Sequence, residues 1–149
     1  MNPATDNPVV LLSTDDPAPI EWVNSESDAP LLLLCEHAGN ALPSSHDQLG
    51  LDPWHLDNHI GWDIGAEAVA RLVAHELQAP LLLQRYSRLL IDCNRPPNTT
   101  SSIPAVSDGI EIPANQQVSP DEKLARQNEI FKPLDESIQA ALGLSLIHI

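Results

Sequence analysis

Hydrophobic positions along this 149-residue chain fall into short unbroken runs and longer periodic stretches, each predicting a different element. Leu31-Leu32-Leu33-Leu34-Cys35 is wholly apolar and then changes character at Glu36-His37-Ala38-Gly39-Asn40. Such a run, bounded by turn residues, predicts a strand buried on both faces. Leu81-Leu82-Leu83, placed after the stop signal Ala79-Pro80, predicts a second. Arg88-Leu89-Leu90-Ile91-Asp92 reads as a third, ended by Pro96 and Pro97. Between the first two, Ala66, Val69, Ala70, Leu72, Val73 and Leu77 recur at helical spacing through Gln78, with Glu67, Arg71, His75 and Glu76 opposite. Strand, helix, strand implies a right-handed crossover that lays 81–83 near 31–34.

The second half adds one strong helix. Ser119-Pro120-Asp121-Glu122 supplies a serine cap, a proline at the first position and a glutamate three residues after the cap. Leu124, Phe131, Leu134, Ile138 and Leu142 form its apolar face, and Pro133 must kink or interrupt it. Residues 98–118 lack periodicity and read as a long loop, packed down by Ile103, Ile110 and Ile112. Residues 1–27 read as a loosely ordered arm, with an edge strand at Val9–Leu12 and Trp22 pinning its end. Asp52-Pro53 looks like a helix start, and a helix continuing from it would set His55, His59 and Asp63 on one face. Gly61 and Gly65 oppose that helix, so the trio is either a metal-binding face or an aromatic and imidazole patch at a helix–loop junction. His75 is most simply a solvated surface residue.

Composition narrows the chemistry. With 21 acids against 7 bases the formal charge is −14, which excludes a nucleic-acid backbone as partner and disfavours an acidic membrane surface. No apolar run is long enough to span a bilayer, and the first ten residues lack the basic segment and apolar core of a secretion signal. Cys35 and Cys93 each lie in or beside an apolar run, as buried free thiols do in a reducing cytoplasm, where the protein is expected; a disulfide is the lesser alternative. Against this acidic background Arg85, Arg88 and Arg95 cluster, as expected of a site that holds an anion. Ligands in open α/β sheets gather past the carboxyl ends of strands, where Glu36 and His37 stand.

Three motifs, CEHAGNALP at 35–43, HIGWDIGA at 59–66 and YSRLLIDCNRP at 86–96, are followed in order by IPAVSDGIEIPAN at 103–115. Together they resemble the N-formylglutamate amidohydrolase family over roughly residues 28–142. The resemblance implies an α/β fold with a central mixed sheet flanked by helices, like the zinc carboxypeptidases and aspartoacylase-like deacylases. It implies hydrolysis of the amide of an N-formyl acidic amino acid, with zinc or another divalent metal as cofactor and a small N-acyl amino acid as partner. In those relatives a histidine directly after a strand binds zinc, and His37 matches it. The glutamate usual three residues later is Asn40 here, so Asp63, or after it Glu36, is the acid expected to complete the site. The D-x-N-R pattern of Asp92–Arg95 resembles the grip on a substrate carboxylate, giving Asn94 and Arg95, with Arg85 or Arg88 for a second carboxylate. Arg88 would alternatively pair with Asp92 or Asp63. Arg88 and Glu36 are the candidate catalytic residues: a carboxylate takes a proton from the attacking water, and an arginine or amide stabilises the oxyanion. A cysteine or serine nucleophile fares worse, because Cys35 and Glu36 point to opposite faces of a strand and no G-x-S-x-G is present.

Family members continue past residue 142 through a strand bearing a second histidine. Here Leu144-Ser145-Leu146-Ile147-His148-Ile149 follows instead, and it looks like the translation of a transposon-end adapter used in sequencing-library preparation. The reading is therefore a single amidohydrolase domain, incomplete at its C-terminus, with 143–149 as a non-native tail and His148 not taken as a ligand. Resequencing the locus tests it: an unbroken longer frame in place of LSLIHI supports the reading, and a stop codon after Ile149 opposes it. The alternative to an amidohydrolase is a non-catalytic domain that binds acidic amino acids through Asn94 and Arg95 without a metal.

Overall fold

The computed structural model describes residues 9–147. His148 therefore lies outside the described residues. Three strands make a small mixed sheet in the order β1-β3-β2: β1 is Ile20–Val23, β2 Leu33–Cys35 and β3 Leu81–Gln84. Leu81 to Gln84 are buried because β3 is the central strand. It runs antiparallel to β1, with Ile20 opposite Gln84, and parallel to β2, with Leu33 opposite Leu81. The helix between β2 and β3, α2 at Ala66–Leu77, supplies the crossover that a parallel pair requires. Gly65, at φ +84°, turns the chain into α2 rather than breaking it.

Several expectations change on meeting the packing. The N-terminal segment supplies an edge strand at Ile20–Val23, not at Val9–Leu12. Instead, the backbone N–H groups of Leu11 and Leu12 donate to the Glu129 carboxylate at 2.7 and 2.9 Å, and the Leu11 side chain enters the core. This part of the arm is tied down by name rather than loose. Arg88–Asp92 is not a strand: Leu90 N–H donates to Ser87 O, and the chain turns. Its leucines are nonetheless fully buried, so an apolar run marked burial correctly and conformation wrongly.

The expected α2 face is met only in part: Ala66 and Ala70 pack against the sheet and His75 and Glu76 are exposed as read, but the large apolar residues are not covered. Val69 and Leu72 are 61% and 66% exposed, while Ala74 is buried against Cys35, Ala38, Leu81 and Leu83. Small alanines let the helix sit close to the sheet, and the large apolar side chains face outward beside Leu34 of the edge strand β2. From Asp52 the helix runs only through Pro53–Leu56 (α1), so His55, His59 and Asp63 share no helical face.

The 98–118 segment contains a two-strand hairpin, β4 Val106–Ser107 and β5 Ile110–Glu111, and buries Ile112. The last helix starts as read: Ser119 Oγ accepts the Glu122 N–H at 3.2 Å, with Pro120 opening α3, Pro120–Arg126. A π-helical turn, Gln127–Phe131, then leads into α4, Lys132–Ile147. Widening the turn just before Pro133 is one way a helix accommodates a proline. It also changes the buried face, which is Ala125, Arg126, Ile130 and Leu134, while Leu124 and Leu142 are exposed. Cys35 and Cys93 are both free thiols, and no helix among the described residues is long and apolar enough to cross a membrane.

Gly39 is fixed by close approach, as is Gly61 against the Leu56 carbonyl. A Cβ at Gly39 would stand 2.2 Å from the Arg85 carbonyl oxygen, whose bond to the Ala41 N–H joins the loop after β2 to the end of β3. Gly39→Ala is expected to lower stability by about 1–3 kcal/mol, the usual cost of overpacking. Thermal melts would show it, and an unchanged Tm would mean that the two loops can part freely.

Candidate active site

Three loops meet past the carboxyl ends of the parallel strands β2 and β3. The first carries Glu36 and His37, the second Asp63, and the third Arg88, Asp92, Asn94 and Arg95. Backbone bonds hold the loops together: Asp63 N–H donates to His37 O at 3.1 Å, and Arg88 N–H donates to Gly61 O at 3.2 Å. The fully buried Ser87 reinforces the second contact, its hydroxyl donating to the same Gly61 carbonyl at 2.8 Å.

His37 lies at the centre. Its Nε2 is 2.7 Å from Asp92 Oδ1, and its Nδ1 is 3.2 Å from Asp63 Oδ2. The two carboxylates differ: the Asp92 side chain is buried, whereas that of Asp63 is half exposed. Arg88 joins them, at 2.9 Å from Asp63 Oδ1 and 3.8 Å from Asp92 Oδ2. Protonated, the ring donates to both acids, and two cations balance two anions. The hydrogen bond to Asp92 holds the His37 pKa above its ordinary value of 6.5, against the opposing effect of burial. Burial pushes the Asp92 carboxyl upward, but the bonds from His37 and from the Asn94 N–H leave it below its usual 3.8. When the ring loses a proton, buried Asp92 retains the one on Nε2, and the Nδ1 lone pair faces Asp63 and solvent. An imidazole oriented by a carboxylate behind it, with a second carboxylate in front, is the donor pair of many metal centres. The described residues bring together no group of three or more side chains able to hold a metal ion, so the pair fits two positions of such a site.

The other candidates divide. Arg95 is exposed and has no carboxylate within ion-pair distance among the described residues; its Nη1 donates only to Asn94 O, at 3.3 Å. Asn94 is exposed beside it, its backbone N–H spent on Asp92. Glu36 is half-buried, with no hydrogen bond or ion pair among the described residues. Arg85 points elsewhere: its Nη1 lies 2.9 Å from Glu67 Oε1 and 3.7 Å from Glu21 Oε2, in a network completed by Arg71. The 2.9 Å approach is an ion pair without hydrogen-bond alignment. Asn40 donates to Leu56 O and Asp57 Oδ1, both at 3.2 Å, which makes it a loop brace. His59 pairs with Asp108 at 2.9 Å on the surface.

Sequence reasoning did not assign Asp92 to His37. The signal was present, since the acid closes an apolar run at the same end of the sheet as the histidine closes its own. Asn115 and Arg126, which support the third loop, gave no such sign. Glu122 and Arg126 are spaced i,i+4, a spacing that also suits an ordinary exposed helix pair and so marks nothing out.

Comparison with known proteins bears on the family and the fold. The chain matches the family profile described as N-formylglutamate amidohydrolase over residues 29–145. Its structure is similar to the crystal structure of gene product Atu2144 from Agrobacterium tumefaciens, with a TM-score of 0.89 and 33% sequence identity. The similarity covers 93% of this chain and 55% of that one, so the chain spans about half the length of its solved relative. No curated protein matches it.

Proposed function

Because the chain belongs to the N-formylglutamate amidohydrolase family, we propose that it serves the hydrolysis of N-formyl-L-glutamate, with water consumed and L-glutamate and formate released. The observation that carries this reading is His37 held between buried Asp92 and half-exposed Asp63. His37 Nδ1 and Asp63 would hold zinc or another divalent cation, taking it in exchange for the ring proton. Bound there, the cation supplies polarisation of the formyl carbonyl and a more acidic water. Asp92 keeps the imidazole in the tautomer that leaves Nδ1 free. Arg95, without an acidic partner among the described residues, offers a bidentate fork to a substrate carboxylate, and Asn94 an amide donor. Arg88 stands beside His37 and Asp63, suited to stabilise the oxyanion, and Glu36 is the carboxylate available to accept a proton. A histidine directly after one parallel strand, with D-x-N-R following the next, also supports a zinc-carboxypeptidase-like fold.

The test is hydrolysis of N-formyl-, N-acetyl- and N-succinyl-amino acids, followed as release of the free amino acid with formate, acetate or succinate, by wild type and by His37→Ala. Release selective for the formyl glutamate and lost in the variant supports the reading. With two of the three protein ligands usual for catalytic zinc, the 149-residue chain is expected to retain zinc below stoichiometry after dialysis. Elemental analysis checks this.

A second reading, non-catalytic binding of acidic amino acids, is favoured by Arg95 lacking an acidic partner while both His37 nitrogens are engaged. It predicts that His37→Ala leaves calorimetric affinity for N-formyl-glutamate unchanged.

A further inference from the structure

The turn that carries Asp92 has lost the hydrogen bonds a strand would have given it, yet it is buried. Leu89, Leu90 and Ile91 are at most 1% exposed, and the carbonyls of Leu89 and Leu90 need partners from elsewhere. Two side chains from distant parts of the chain provide them. Asn115 Nδ2 donates to Leu89 O at 2.7 Å and to Pro104 O at 2.9 Å. Arg126 Nη1 donates to Leu90 O at 2.8 Å and to Asn115 Oδ1 at 2.8 Å, so the amide and the guanidinium also hold each other. Arg126 is fully buried, and Glu122 neutralises it through contacts to Nε and Nη2. One residue further on, Asp92 N–H donates to Ser102 O at 2.7 Å, and its carboxylate meets His37.

We propose that Asn115 and Arg126 are positioning residues that fix the Leu89–Leu90 backbone and thereby set Asp92 behind His37. The clamp gives a role to the Asn115 end of the fourth motif, IPAVSDGIEIPAN, which touches neither His37 nor Arg95. Its importance for catalysis rests on the reading of His37 as the functional centre, but the placement of Asp92 can be tested without catalysis.

The readout is the His37 ring in long-range proton–nitrogen NMR, where a Nε2 proton held by a buried carboxylate resonates well downfield. Asn115→Asp is nearly isosteric and keeps the acceptor for Arg126, while losing the donors to Leu89 and Pro104. Arg126→Lys keeps the charge and loses the fork. In both, the downfield Nε2 proton is expected to disappear while circular dichroism shows a folded chain. Leu134→Ala, buried on the same helical face but outside the clamp, is expected to lower Tm and leave the His37 signal in place. The proposal is overturned if the folded Asn115 and Arg126 variants keep that signal, or if Leu134→Ala loses it equally. In the wild type, the Asn115 amide protons are expected to exchange no faster than the His37 Nε2 proton. Faster exchange would mean that the clamp opens without releasing Asp92, and this check needs no variant to fold. Formate release, measured separately, tests the functional reading alone.

Discussion

Glu122→Ala is expected to cost the fold about 3–5 kcal/mol, the usual penalty for leaving one member of a buried ion pair unpaired. The Arg126 side chain is fully buried, and Glu122 is its sole ion-pair partner among the described residues. Burial disfavours the guanidinium's charge and pulls its pKa below the ordinary value, while Glu122 opposes the change. Guanidinium is the most basic side-chain group, and with Glu122 beside it the Arg126 side chain stays cationic. Removing the carboxylate therefore leaves a buried cation facing only the Leu90 carbonyl and the Asn115 amide oxygen. Domains of this size are stable by only about 5–15 kcal/mol, so a large part of the total would go.

The same pair has a pH signature. Burial raises the Glu122 carboxyl, but the hydrogen bonds and charge of Arg126, with His46 behind them, bring it below 4.5 in the folded chain. A carboxyl depressed on folding contributes stability that is present above its unfolded pKa. That contribution is lost as pH falls through the lower, folded value. Wild type should therefore lose stability as pH falls below about 4.5, and Glu122→Gln should lose less of its own over that window. Urea midpoints for both chains between pH 3 and 7 measure the difference. Parallel curves would show that Glu122 contributes nothing specific.

Under the proposed function, Asp92→Asn is expected to reduce formate release, and zinc affinity with it, by about 10–100-fold, because His37 would ligate the cation with the Asp92 carboxylate behind it. The amide can turn its NH2 toward Nε2, which drives the ring proton onto Nδ1 and closes the nitrogen that faces Asp63. Shape and volume are nearly kept, so the thermal transition should move far less than in Glu122→Ala. Activity assays beside calorimetric melts separate the two effects. An active Asp92→Asn would remove the tautomer argument altogether.

How much of this was legible depended on whether the deciding contact was local. The strands at Leu33–Cys35 and Leu81–Gln84, their parallel pairing, the α2 helix, the Ser119 cap and the interruption near Pro133 all follow from short-range patterns. The meeting of His37 with Asp63 was expected from the family resemblance and from no short-range pattern. Arg88–Asp92 misled because apolar composition reports burial, while the choice between strand and turn depended on Asn115 and Arg126, more than twenty residues away in sequence. The α2 face misled for a different reason. Periodicity gives a stripe, but it does not say whether the sheet meets the large side chains or the alanines beside them.

That outward stripe bears on the colloidal behaviour of the chain. Leu34, Ile64, Val69, Leu72 and Val73 are open to solvent on a molecule of formal charge −14. At low ionic strength, mutual repulsion keeps such molecules apart despite their greasy side. By 1 M salt the screening length has shrunk to about 3 Å and contact is no longer opposed. Sulfate adds to this by strengthening apolar association even as it stabilises the fold. The conditions that best protect the folded chain are thus the ones that bring it out of solution.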